Sequence, residues 1–358
     1  MFLKKIIKII IFTICIFLIV VLSFYIYIEK NNIIENKIKN GNKVSFIILL
    51  YDIGNLFPKK LETYVVLYER SSNILKILSI NTDVIVDFVK NRGKSLKMLF
   101  YENSKKNLDY AIERFYLDLY KIIGNTAKVD FYLNVNFKKL KPIILNDKKL
   151  RDFILNDNFK NRDLKSLTHL EIIEYISKFA IYKVLNIYKQ YGLLDINISK
   201  KSLFSLFLRF KFFKPVIMFC ELPVKYTDLT VELDKRNTEE FLNKVYNVSM
   251  NSKKSNNDVI IDIKNASKKS RMAEKIGWIL RENKFDVLDW TNFNVSYYKT
   301  LIKDNKGNFY QSLRIANILK TGKIIVSYNS NIYSDITIFV GKDCIIYDDF
   351  DKKKKDKN

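Results

Sequence analysis

Three carboxylates stand where short apolar runs begin or end. Asp52 closes V-S-F-I-I-L-L-Y (residues 44–51), Glu62 opens T-Y-V-V-L-Y (residues 63–68), and Asp83 follows L-K-I-L-S-I (residues 75–80) and the pair Asn81-Thr82. Runs of this length and apolarity predict strands buried on both faces. In open α/β sheets ligands gather beyond the carboxyl ends of the strands, so acids placed there are candidates for site chemistry. Taken singly, each is more often a solvated strand-end carboxylate. Sulfur and imidazole chemistry has little support. Cys15, Cys220 and Cys344 form no C-x-x-C pair and His169 is the single histidine, which argues against a zinc-type centre. Pairing of Cys220 with Cys344 after export stays open.

Those acids need a sheet to position them. Residues 107–124 carry Leu108, Ala111, Ile112, Phe115, Leu119 and Ile122 at spacings of three and four, and Gly124 stops the run. The pattern predicts an amphipathic helix. Residues 129–135 predict a further strand, 137–145 open another element, and 167–191 predict a second long amphipathic helix. Residues 203–219, L-F-S-L-F-L-R-F-K-F-F-K-P-V-I-M-F, are Phe-rich and interrupted by Arg209, Lys211 and Lys214. They read as a core helix with snorkelling cations, or as a basic amphipathic segment at a membrane interface or lipid cavity. Residues 237–245 predict a helix capped by Asn237. The Asn/Ser/Lys-rich residues 247–257 mark a domain boundary. Beyond it, the order β-α-β-β-α-β-β over 258–345 predicts a small α/β domain of a size that folds alone. It has no acidic cluster, histidine or Gly-rich phosphate loop, and reads as a binding or assembly module.

Residues 9–28 hold no charge and are apolar throughout. As a helix they would span about 30 Å, the thickness of a bilayer's hydrocarbon core. Lys4, Lys5 and Lys8 precede them and Tyr25 and Tyr27 lie at the far end, so residues 1–8 are expected in the cytoplasm and the bulk of the chain outside it. The exit Leu22-Ser23-Phe24-Tyr25 lacks the small residues of a signal-peptidase site, so an uncleaved signal-anchor is expected. Residues 29–43 read as a polar tether, and 346–358 as a charged tail. The 358-residue chain has a net charge of +24, from 62 Lys and Arg against 38 Asp and Glu. Its lysines are spread along the chain and no nucleic-acid motif appears, so no nucleic-acid partner is expected. Hydrophobic content of 48% excludes a disordered chain.

Several of these runs resemble one family. V-S-F-I-I-L-L-Y-D, L-E-T-Y-V-V-L-Y, K-I-L-S-I-N-T-D-V-I-V and, after Gly124, V-D-F-Y-L-N-V-N-F are similar to the LytR-CpsA-Psr (LCP) domain, here residues 44–246. D-V-I-I-D-I-K-N-A-S, R-M-A-E-K-I-G-W-I-L-R-E-N-K-F-D-V and D-I-T-I-F-V-G-K-D resemble the LytR C-terminal domain. The resemblance implies an α/β fold: an N-terminal transmembrane helix, a sheet domain with helices on both faces, and a small α/β C-terminal domain. It implies a single-pass protein of the bacterial cytoplasmic membrane. Such a protein transfers a glycopolymer from a polyprenyl-pyrophosphate carrier to peptidoglycan or a related acceptor, in contact with membrane lipid. Carried over by position, Asp52, Glu62 and Asp83 would hold Mg²⁺ through hard oxygens, with Asp52 and Asp83 catalytic. Thr82 stands where the family has an arginine, and no arginine lies between Arg162 and Arg209, where a later arginine cluster would fall. Lys183, Lys189 and Gln190 are the nearest replacements for substrate binding. Lysine brings a point charge in place of a bidentate fork, so a catalytically inactive relative that binds envelope lipid or glycan, or scaffolds a complex, is the alternative expectation.

Overall fold

The computed structural model describes residues 33–41, 43–53, 58–87, 93–124, 129–136, 194–197, 199–228, 230–247, 258–320 and 322–344. The apolar stretch 9–28 and the helix expected at 167–191 lie outside them. Among the described residues no helix is long and apolar enough to cross a membrane.

The backbone of the fold is one large mixed sheet of eleven strands, ordered β12-β11-β15-β13-β14-β8-β3-β2-β1-β6-β7. Its first part comprises β1 (Lys43–Ile53), β2 (Pro58–Glu69), β3 (Ile74–Ile80), β6 (Phe131–Asn136), β7 (Leu194–Ile196) and β8 (Val216–Glu221). Its second comprises β11 (Ile260–Asn265), β12 (Asp286–Asn292), β13 (Leu301–Asp304), β14 (Lys323–Ser327) and β15 (Ile336–Val340). The short pairs β4 (Ile85–Asp87) with β5 (Lys94–Ser95), and β9 (Val224–Tyr226) with β10 (Val231–Leu233), stand apart. β1 and β2 are antiparallel, as are β2 and β3, so β1 and β3 run the same way. β6 is parallel to β1, β8 to β3, and β14 to β8. The carboxyl ends of β1, β3, β6, β8 and β14 therefore share one edge.

Helices cover both faces. One apolar cluster joins Leu49, Val65, Leu78 and Cys220 of the sheet to Phe100, Phe115, Phe241, Ile276 and Ile315. These lie on α2 (Leu96–Ser104), α3 (Leu108–Ile123), α5 (Lys235–Asn247), α6 (Met272–Glu282) and α7 (Phe309–Leu319). The opposite face packs Phe46, Val66, Tyr68 and Phe219 against Ile34 and Ile38 of α1 (Ile33–Gly41) and Leu206 and Phe210 of α4 (Lys200–Phe213). At roughly 25 cal/mol per Å² of apolar surface removed from water, these two clusters are the main favourable term in folding.

Local signals explain most element ends. Asn107 accepts from the N–H groups of Asp109 and Tyr110 and starts α3, and Gly124, at φ 66°, ends it. The segment 203–219 is not one helix. Lys214 takes a left-handed conformation and Pro215 has no N–H to continue, so α4 stops at Phe213 and β8 begins at Val216. The cap of α5 is Asp234, not Asn237: Thr238 N–H donates to the Asp234 carbonyl at 2.7 Å and Asn237 Nδ2 to its carboxylate at 2.8 Å. Residues 33–41, read as part of a tether, are helical because Ile34 and Ile38, one turn apart, both bury on the sheet. α2, opened by Ser95, is a helix that the apolar spacing did not reveal.

Candidate functional site at the carboxyl edge

Asp52 is the penultimate residue of β1 and faces Lys60 across the ladder, while Glu62 faces Leu50. Directly opposed residues share a face and alternate residues return to it, so Asp52 and Glu62 lie on the same face as diagonal neighbours. Asp83 lies three residues past the end of β3, where Thr82 Oγ1 donates to the carbonyl of Leu61 at 3.0 Å. Asp52 and Glu62 thus share one face at this end of β1 and β2, and Asp83 stands apart on the turn after β3, beside Lys97.

Their surroundings differ. Asp52 Oδ1 is buried and has no hydrogen-bond partner among the described residues. Glu62 accepts from Tyr64 Oη at 2.8 Å. The Asp83 side chain is 59% exposed, with its carboxylate 3.8 Å from Lys97 Nζ. Among the described residues no group of three or more His, Cys, Asp and Glu side chains is placed to hold a metal ion. This end of the sheet is therefore no closed protein cage. What it offers is one buried carboxylate oxygen lacking a donor, which fits a hard cation that takes one or two carboxylates and completes its shell with water and substrate phosphate. Such an ion, when bound, would neutralise phosphate charge.

Lys97 is the cation that sequence reasoning missed. It sits in the first turn of α2, and the signal for it was Ser95, whose hydroxyl accepts from Met98 N–H at 3.3 Å. The other N–H groups of that turn are engaged: Leu96 donates to the carbonyl of Val84 at 3.1 Å and Lys97 to that of Thr82 at 2.9 Å. The helix start therefore has few free donors for an anion, and positive charge here comes from the Lys97 ammonium. Thr82 itself is buried. Lys183, Lys189 and Gln190 lie outside the described residues. Cys220 and Cys344 are both buried free thiols, so the disulfide left open by the sequence is not formed; burial pushes the Cys220 thiol up to about 12.

A second buried polar group lies in the shared core. Lys76 of β3 donates from Nζ to the carbonyl of Val245 at 2.9 Å and stands 4.4 Å above the ring of Phe309. Burial holds its ammonium below the usual lysine range. Its partners are a helix end and an aromatic face, so it binds α5 and α7 to the sheet and faces no open site.

No family model matches the sequence, and no curated protein matches it. Similar solved structures include TagV of B. subtilis, 15% identical over 57% of this chain and 98% of that one, with a TM-score of 0.41. Another is "TagT bound to LIIa-WTA", 14% identical over 58% and 92%, at 0.40. A protein described as a transcriptional regulator from Enterococcus faecalis is 14% identical over 57% and 89%, also at 0.40. TagV and TagT are LCP enzymes, the family that the sequence motifs resemble. A likeness this distant carries no argument about activity, which has to come from the chain's own residues.

Proposed function

We propose that the protein is a membrane-anchored envelope protein of the LCP kind, acting on polyprenyl-pyrophosphate-linked glycopolymers. Residues 9–28 form the anchor, and the folded body lies outside the bacterial cytoplasmic membrane. The observation that carries the reading is the buried Oδ1 of Asp52 at the carboxyl edge, which has no hydrogen-bond partner among the described residues. Holding a charged oxygen out of water without a donor is costly, and sites that do so are commonly completed by a cation. Asp52, with Glu62, would hold Mg²⁺. Asp83 is the exposed carboxylate to accept the proton of an incoming acceptor hydroxyl. Lys97 supplies positive charge beside it.

In the transfer, the acceptor oxygen bonds to the phosphorus that carries the glycan. The bond from that phosphorus to the bridging oxygen breaks, and polyprenyl monophosphate leaves. The Thr82 hydroxyl is already committed to the Leu61 carbonyl, so nothing at that position steadies the leaving phosphate. That observation favours the second reading, a relative that binds the carrier lipid or glycan without turnover.

The test uses the full chain in nanodiscs with a polyprenyl-pyrophosphate oligosaccharide, a peptidoglycan acceptor and Mg²⁺. Release of polyprenyl monophosphate, falling at least a hundredfold in Asp52→Asn, is the expected result. Mg²⁺ should also raise the unfolding temperature of the native chain and leave that of Asp52→Asn unmoved. Binding without release supports the second reading. Neither binding nor release rejects both.

A further inference from the structure

We propose that the amino edge of the sheet is a membrane-seating surface, in which Phe212, Phe213 and Val216 enter the headgroup region of an anionic bilayer. Phe212 is 65% and Phe213 52% exposed, on the last turn of α4, and Val216, at the start of β8, is also exposed. The Phe213 carbonyl accepts from Asn73 Nδ2 at 2.8 Å, and Val216 N–H donates to the Asn73 carbonyl at 3.0 Å. The turn between β2 and β3 thus braces the patch, and Arg209 stacks its guanidinium 5.2 Å from the Phe213 ring. These rings are held outward by a rigid support.

Charge selects the occupant. Arg70 and Lys214 flank the rings and are exposed, as is Lys320 at the end of α7. Among the described residues 69–74, 212–217 and 320–324 the acid is Glu69, which is buried and lies 3.9 Å from Lys43 Nζ. Exposed phenylalanines ringed by cations match the chemistry of an anionic lipid surface, where apolar insertion and attraction to headgroups act together.

The chain path allows this seating. α1 ends beside the start of β1, at this same edge, and packs beside α4 through Ile34, Ile38, Leu206 and Phe210. Four residues, Glu29 to Asn32, separate the apolar stretch from Ile33. The five steps from Ile28 to Ile33, at about 3.5 Å each, reach roughly 17 Å. The nine residues of α1, about 13 Å long, lie between that tether and this edge, a span the tether can cover. The inference rests on the anchored reading of residues 9–28, and it adds which face meets the lipid; Asp52, nine residues along β1 from Lys43, then stands about 30 Å from the headgroups, so the carrier lipid has to leave the bilayer to reach it.

The experiment places an environment-sensitive fluorophore on the full chain by Phe213→Cys in a Cys15→Ser background, with Cys220 and Cys344 buried. A second sample carries it by Tyr333→Cys, on an exposed loop at the opposite edge. Both are reconstituted into vesicles of phosphatidylglycerol and phosphatidylcholine containing spin-labelled lipid. Quenching at position 213 at least threefold stronger than at 333 is expected. Adding Phe212→Glu, or using phosphatidylcholine alone, should reduce that contrast. Equal quenching at the two positions, with the protein still floating with the vesicles, overturns the seating surface and leaves the anchor intact. Failure to float removes the anchor and the seating surface with it. Label-to-label contact between two copies without lipid quenching assigns the patch to self-association and overturns the proposal.

Discussion

Asp304 and Asp52 show at residue scale how burial treats a carboxylate that has donors and one that lacks them. Asp304 is fully buried and pushed up to about 6 by desolvation, against the opposing pull of donors from Asn308, Lys306 and Ser312. The folded chain therefore holds this proton more tightly than the unfolded chain, whose aspartate titrates near 3.8. Stability from this group is complete below about pH 4 and is lost as pH rises to about 6. The loss amounts to about 3 kcal/mol. Asp304→Asn cannot ionise and keeps an acceptor for the Lys306 N–H. It should be more stable than the native chain at pH 8, with the difference gone near pH 4, as read by urea unfolding across that range. Asp52 was legible as a candidate because it ends an apolar run. That one of its oxygens would lack a donor was not, since this depends on what the pairing with β2 places beside it.

At the scale of elements, the junction between β15 and β13 has the tightest tolerance. An added Cβ on Gly341 would lie 2.3 Å from the Lys299 carbonyl carbon and 2.6 Å from the Thr300 nitrogen. The approach is stitched by Gly341 N–H donating to Thr300 Oγ1 at 3.1 Å, and by Thr300 donating from N and Oγ1 to Asp343 Oδ1 at 2.7 and 2.8 Å. Backbone cannot yield as a flexible side chain can. Gly341→Ala should cost about 3 kcal/mol or more in thermal or chemical unfolding, with the fold otherwise retained. Periodicity and caps made α3 readable almost to the residue, from Asn107 to Gly124, because both signals are local. α1 escaped the same reading because nine residues with two buried isoleucines carry little pattern against a polar background. The break between α4 and β8 was written in Pro215, yet the apolar run on either side of it hid the change of period.

At the scale of the molecule, strands from the two segments read as separate domains join one sheet. Met218, Phe219, Cys220 and Glu221 of β8 pair in register with Ile324, Ile325, Val326 and Ser327 of β14. The apolar cluster on the α5 side runs on from Leu78 to Ile338, and Lys76 reaches both α5 and Phe309 of α7. The chain ended after Asn247 would open the β8 edge and expose that cluster. Such a truncation should aggregate or lose its cooperative transition, while the full folded body should melt in one step by calorimetry. Two well-separated transitions in the full chain would show that the halves are independent despite their shared sheet.

The sequence by itself determined the α/β class, most of the described strands, the amphipathic helix from Leu108 to Ile123 and the place of Asp52 near the end of β1, whereas Glu62 lies inside β2 because that strand begins at Pro58. Each of these is carried by period, capping or composition within a short window. Tertiary structure decided what such windows cannot hold. It fixed the pairing of β8 with β14, the burial of Thr82 and of one Asp52 oxygen, the approach of Lys97 to Asp83, and the outward set of Phe212 and Phe213. All of these join residues far apart in the chain, and their relative placement follows from packing and strand register, which local pattern does not specify.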